Sequence, residues 1–125
     1  MLNIWLSTCC VALSTAEAEY MALASATQEA VWLRKLATDV KLDFKGPVLI
    51  YEDNQSTIAM SKNPQFHGRS KHIDIKFDFV RDQCNVNAIQ LKYCPTDDMI
   101  ADVFTKGLSH VKFKRLRNML GMYAN

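Results

Sequence analysis

The amino-acid sequence predicts an α/β layered domain. Short apolar, β-leaning runs at residues 48–51 and 88–93 alternate with longer stretches of helical pattern. Turn signals at Gly46-Pro47, Asn63-Pro64 and Cys94-Pro95 fall between them. The 125 residues suit one domain large enough to bury a core, and neither a repeat nor a long linker divides them.

The opening stretch, residues 2–13, is apolar and short, and reads as a strand followed by a turn. Ser14-Thr15-Ala16-Glu17 then has the form of a capping box, Ser14 bonding the amide three residues on and Glu17 reaching back to that of Ser14. Alanine-rich helical sequence follows to about Asp39, a helix of roughly 38 Å at the standard rise. After Gly46-Pro47, Val48-Leu49-Ile50-Tyr51 is a buried strand, and residues 54–62 form a short helix stopped by Asn63-Pro64. Between Lys62 and His72 runs a loop with Lys62, His67, Arg69, Lys71 and His72 and no acid.

The next element is ambiguous. Ile73-Asp74-Ile75-Lys76-Phe77-Asp78-Phe79 alternates as a strand does, while Ile73, Phe77, Val80 and Cys84 fit a helical stripe. Residues 88–93 read as another strand. Thr96 then caps a helix running to about Lys106, with Asp97 and Asp98 in its first turn and Gly107 as its stop. An amphipathic basic helix over residues 111–120 completes the chain.

Composition excludes several classes. At 49% hydrophobic and 22% charged, the chain is neither disordered nor a fibrous repeat, and no apolar run approaches a membrane span. A signal peptide is not expected from its opening residues. Cys9, Cys10, Cys84 and Cys94 have neither redox nor zinc spacing, and His67, His72 and His110 add no ligand pattern. The thiols are expected reduced and packed, in an intracellular protein. Residues 103–125 hold five basic side chains (Lys106, Lys112, Lys114, Arg115, Arg117) and no acid, behind a body of balance −3. Such a tail can contact a polyanion, or simply be a solvated helix end.

Three acids lack an easy structural role. Glu19 lines up on the helical wheel with Leu23, Ala26, Ala30 and Leu33, so it either points towards the core or reaches water from the stripe's edge. Asp53 follows the buried strand, where open α/β sheets place ligand crevices, though it could instead cap the next helix. Asp102, among Ile100, Ala101, Val103 and Phe104, is expected inside or at a partly buried rim. Carboxylates on three elements suit a hard cation such as Mg²⁺, and a pair of ions would serve hydrolysis.

The strings Val11-Ala-Leu-Ser-Thr-Ala-Glu-Ala-Glu-Tyr-Met-Ala-Leu23, Tyr51-Glu-Asp-Asn-Gln-Ser56, Ser70-Lys-His-Ile-Asp-Ile75, Leu91-Lys-Tyr-Cys-Pro-Thr96 and Ile100-Ala-Asp-Val-Phe-Thr-Lys106 closely resemble the C-terminal ribonuclease H domain of copia-type LTR retrotransposon Pol polyproteins. The likeness covers about residues 4–108, in order. It implies a three-layer ribonuclease H-like fold, cleavage of the RNA strand of RNA–DNA hybrids, and Mg²⁺, or Mn²⁺ in its place. By position it assigns Glu19, Asp53 and Asp102 as catalytic metal ligands. Asn54, Gln55, Arg69, Lys71 and His72 become substrate contacts, the alternative for the basic loop being a merely solvated one. The resemblance also implies that residues 73–84 are helical. The implied partners are the hybrid and the upstream reverse transcriptase part of the polyprotein, with no membrane. The implied location is the cytoplasm, within a virus-like particle, or the nucleus.

One departure counts against activity. The family's first hairpin, which carries another metal-binding aspartate, has no counterpart here, and residues 1–5 resemble its third strand. The segment between Trp5 and Val11 is also about two residues short of the family pattern. The expectation is an incomplete ribonuclease H-like domain over residues 1–108, a basic helix or tail over 109–125, and weak or absent nuclease activity. The alternatives are a non-catalytic nucleic-acid-binding or interaction module, and an inert relic of a decayed element.

Overall fold

A computed structural model describes residues 3–5, 15–62 and 71–123. The elements run β1 (Asn3–Trp5), α1 (Thr15–Asp39), β2 (Val48–Glu52), α2 (Gln55–Lys62), α3 (Lys71–Asn85) and β3 (Ile89–Tyr93), then a single 3₁₀ turn at Thr96–Asp98, α4 (Asp102–Thr105) and α5 (His110–Met119). The three strands form one parallel sheet in the order β1-β2-β3. Ile50 sits at its centre, opposite Ile4 on one side and Leu91 on the other. The predicted α/β class is what the structure shows.

Alternation along β2 decides where the core lies. Val48, Ile50 and Glu52 are buried, while Leu49 and Tyr51 between them are half-buried. The first set faces the helices: Val48 and Ile50 pack with Leu23, Ala24 and Ala30 of α1, Val80 of α3, and Ile89 and Leu91 of β3. Tyr51, on the opposite face, packs against Cys94, Met99 and Ala101.

The residues 73–84 ambiguity resolves as a helix. Phe77 and Val80 of α3 are buried, and Cys84 is packed against the core, which is the helical stripe. Ile75, an apolar member of the alternating pattern, is exposed. Neighbouring α1 supplied a surface that only a helical stripe could cover.

Three helices end the same way, in the Schellman arrangement. The amide of Leu42 reaches the carbonyl of Ala37 at the end of α1, Ala88 reaches Gln83 after α3, and Met122 reaches Arg117 after α5. The reversing residues are Lys41, Asn87 and Gly121, with φ of 58°, 57° and 77°. Arg34 of α1 donates to the carbonyls of Asn87 and Ala88, tying the long helix to the turn that launches β3.

Two expectations need correction. The helix capped by Thr96 and running to Lys106 does not form as one piece: Met99 is extended (ψ 100°), because Met99 and Ala101 turn inwards to pack with Cys94. Only the 3₁₀ turn and the four-residue α4 remain, and Thr96 makes no cap. Asp102 therefore begins α4 instead of lying a turn into a longer helix. Ser14 of the expected capping box lies outside the described residues; Glu17 stands in the first turn of α1.

Candidate functional site

The carboxyl end of β2 gathers the chemistry. Alternation turns Glu52 inwards beneath α1 and α2, where it is only 1% exposed. Its Oε1 accepts the Asn54 backbone N–H at 3.1 Å, and its Oε2 has no hydrogen-bond partner. Burial lifts its pKa from 4.5 to about 7, and the neighbouring Asp53 and Glu19 carboxylates push the same way against the opposing Asn54 N–H. Glu52 thus holds its proton to higher pH than an ordinary glutamate.

Asn54 has two jobs. Its Oδ1 accepts the backbone N–H groups of Ser56 (2.9 Å) and Thr57 (3.2 Å), capping α2. Its Nδ2 donates to Glu19 Oε2, and Thr57 Oγ1 donates to the same oxygen at 3.4 Å. Glu19 therefore faces the end of β2, half-buried, on two polar partners. Asp53 leaves the cap to Asn54 and accepts instead from Thr96 Oγ1 at 3.2 Å, joining the end of β2 to the turn beyond β3.

Asp102 has partners of a different kind. It is 5% exposed, and lysines hold it: Lys106 Nζ lies 3.0 Å from Oδ1 and Lys112 Nζ lies 3.8 Å from Oδ2. At the longer distance Oδ2 makes no hydrogen bond. Lys112 also stands 3.5 Å from Asp97, while Arg115 reaches Asp98 at 2.7 Å and the carbonyl of Asp97. Three of the tail's five basic residues are thereby spent on the chain's own acids.

Of the predicted site, Glu19 and Asp53 lie about the end of β2, both acting on Glu52, and Asp102 opens α4 in company with two lysines. Among the described residues, no three His, Cys, Asp or Glu side chains gather closely enough to hold a metal ion. Oxygen donors of the right kind are present, and Glu52 and Asp102 each carry an orphaned oxygen. As placed, however, the set does not fit a divalent cation, since its members are bound to Asn54, Thr57, Thr96, Lys106 and Lys112. Gln55 is exposed at the start of α2. Lys71 and His72 open α3, and Arg69 lies outside the described residues.

Sequence reasoning missed Glu52 and the lysine pairing of Asp102. The first was legible: in a strand of period two, Glu52 must share the face of Val48 and Ile50. The second was not, because Lys112 meets Asp102 only through the fold. Cys84 and Cys94 are free thiols, both pushed upwards by burial. Among the described residues no helix is long and apolar enough to cross a membrane.

No protein-family profile and no solved structure matches the chain. Curated proteins do. The chain is 36% identical over 116 residues to the "Retrovirus-related Pol polyprotein from transposon TNT 1-94" of Nicotiana tabacum, covering 93% of this chain and 9% of that protein. It is 35% identical over 109 residues to the corresponding polyproteins from transposons RE2 and RE1 of Arabidopsis thaliana, covering 87% of this chain and 8% and 7% of theirs. The chain is a homologue of one short region of retrovirus-related transposon Pol polyproteins, spanning less than a tenth of the length of these relatives.

Proposed function

We propose that the chain is a ribonuclease H-like region of a copia-type Pol polyprotein, directed at the RNA strand of RNA–DNA hybrids. The observation that carries this reading is that Glu19, through Asn54, and Asp53 both lie about Glu52 at the carboxyl end of the central parallel strand, the place where such sheets bind ligands. Homology to Pol polyproteins supplies the setting in which hybrids arise.

In this reading Glu19, Asp53 and Asp102 are the catalytic acids and Mg²⁺, or Mn²⁺, is the cofactor. The hybrid's backbone is met by Gln55 and by the basic segment of Arg69, Lys71 and His72. Asn54 acts by orienting Glu19 and starting α2. Cutting by this chain is slow or absent in this reading, each of the three acids being engaged by Asn54, Thr57, Thr96, Lys106 or Lys112. Helix α5 is anchored, not free, through Lys112 and Arg115.

Competition binding tests the substrate class. The chain is expected to prefer a labelled RNA–DNA hybrid over DNA duplex and over single-stranded RNA of the same sequence, at fixed salt. Equal affinity for all three would leave only a general polyanion surface and overturn the reading. A steep salt slope without hybrid preference would favour the non-catalytic binding module.

A further inference from the structure

Between α1 and α3 lies an open cavity of about 460 Å³, lined by Ala24, Ser25 and Gln28 of α1 and by Ile75, Lys76 and Phe79 of α3. The two helices run parallel. Ser25 and Lys76 share the cavity near the start of α3, and Arg34 reaches the carbonyls of Asn87 and Ala88 beyond its end. Helical periodicity extends the cavity into a groove. Trp32 and Lys35 follow Gln28 by four and seven residues, and Val86 follows Phe79 by seven. The amide of Val86 still bonds the Asp82 carbonyl, so the helical line reaches it. Trp32, Ile75 and Val86 are 58%, 62% and 69% exposed, a row of apolar side chains facing water. Glu19, six residues before Ser25, lies on the opposite side of α1, so the groove is separate from the site at the end of β2.

Charge decides what fits there. Lys76 is the one charged residue lining the cavity, and Lys35 stands about 10 Å beyond Gln28 along α1. Among the described residues neither lysine is in an ion pair. Glu29 and Asp82 are each turned by roughly 70° or more from the middle of the groove, at about 100° per residue. We propose that the α1–α3 groove docks an amphipathic helix, apolar along one side and acidic at its ends. Two parallel helices leave between them the seat that a third helix fills by ridge-and-groove packing. Trp32, Ile75, Phe79 and Val86 take apolar anchors spaced at helical intervals. Lys76 and Lys35 meet the acids, each pair adding little affinity at an exposed site but selecting which helix binds. A nucleic-acid backbone fits less well, because it asks for several cations in a row, and here two flank an aliphatic floor.

The test is fluorescence anisotropy, with the full chain titrated into a labelled alanine-based peptide of about eighteen residues, long enough to hold a helix in water. Leucines at i, i+4, i+7 and i+11 form its apolar side and glutamates stand at both ends; a second peptide has lysines at the ends. The glutamate peptide should bind about tenfold more tightly at low salt, and Lys35→Glu/Lys76→Glu should reverse the order. Ile75→Glu should weaken binding of the glutamate peptide about tenfold or more, with an unchanged melt because Ile75 is exposed. Should that variant melt lower, Val86→Glu carries the same comparison. Equal affinities for the two peptides, no binding of either, or an order unmoved by the charge reversal would overturn the proposal. Displacement of the peptide by an RNA–DNA hybrid would overturn it too, making the groove a nucleic-acid surface. Self-association in sedimentation velocity that Ile75→Glu abolishes would give the groove to a second copy of the chain, and the acidic partner would fall.

Discussion

Lys106 Nζ lies 3.0 Å from Asp102 Oδ1, an ion pair between residues one helical turn apart, made at a carboxylate only 5% exposed. The i,i+4 spacing makes this possible, and α4 supplies the turn. Were Thr96–Lys106 one continuous helix, Met99 and Ala101 could not both turn inwards onto Cys94 as they do. Local packing, then tertiary charge pairing, fixes what Asp102 meets.

Glu52 makes stability depend on pH. Its pKa is 4.5 ordinarily and about 7 in the fold, so between these values the folded chain keeps a proton that the unfolded chain has released. Its contribution is fully present below pH 4.5 and is lost as pH rises through about 7. The loss is about 3 kcal/mol at most. Glu52→Gln is therefore expected to stabilise the chain at pH 7.5 and to flatten the fall between pH 5 and 7. Urea melts across that range in EDTA check it; an unchanged slope would remove Glu52 as the cause.

Asn54 separates a cap from a charge effect. Asn54→Ala loses the cap on α2 and should cost about 1 kcal/mol, nearly independent of salt. Asn54→Asp keeps an oxygen for Ser56 and Thr57 but sets a carboxylate against Glu19 and Glu52. Its destabilisation should shrink at pH 4.5 and in 0.5 M NaCl, by about half or more. Chemical denaturation of both variants in the two conditions distinguishes them.

The docking of α5 sets an apolar anchor against surface charge. Leu116 is fully buried, while the Arg115–Asp98 pair is about half exposed. Leu116→Ala should cost about 3 kcal/mol, and Arg115→Ala less than about 1 kcal/mol. Hydrogen exchange over residues 110–119 should rise sharply in the first variant and little in the second.

Lys41 holds a left-handed conformation, φ 58°, at a position where Gly121 serves α5. Lys41→Gly relieves side-chain strain at some cost in unfolded-state entropy, for a net gain of about 0.5 kcal/mol. Gly121→Ala should lose about 1 kcal/mol. Thermal melts of the two variants should shift in opposite directions.

Much of the fold was legible because its signals are local. The end of α1 at Asp39, the strands at Val48–Glu52 and Ile89–Tyr93, and α2 and α5 follow periodicity and turn residues to within one or two positions. What periodicity left open or misplaced was set at longer range. Residues 73–79 alternate, yet α3 is helical because Phe77 and Val80 find α1 and the sheet. The Thr96 helix broke where Met99 and Ala101 found Cys94. Glu19 and Asp53 were placed at one site from their elements, while the pairing of Asp102 with Lys112 was invisible until α5 docked.

The most direct measurement is cleavage of a strand-labelled RNA–DNA hybrid by the full chain, in Mg²⁺ and in Mn²⁺, beside Asp53→Asn. The account predicts slow or undetectable cutting, confined to the RNA strand and absent from the variant. Rapid turnover, or cutting that survives Asp53→Asn, would contradict it.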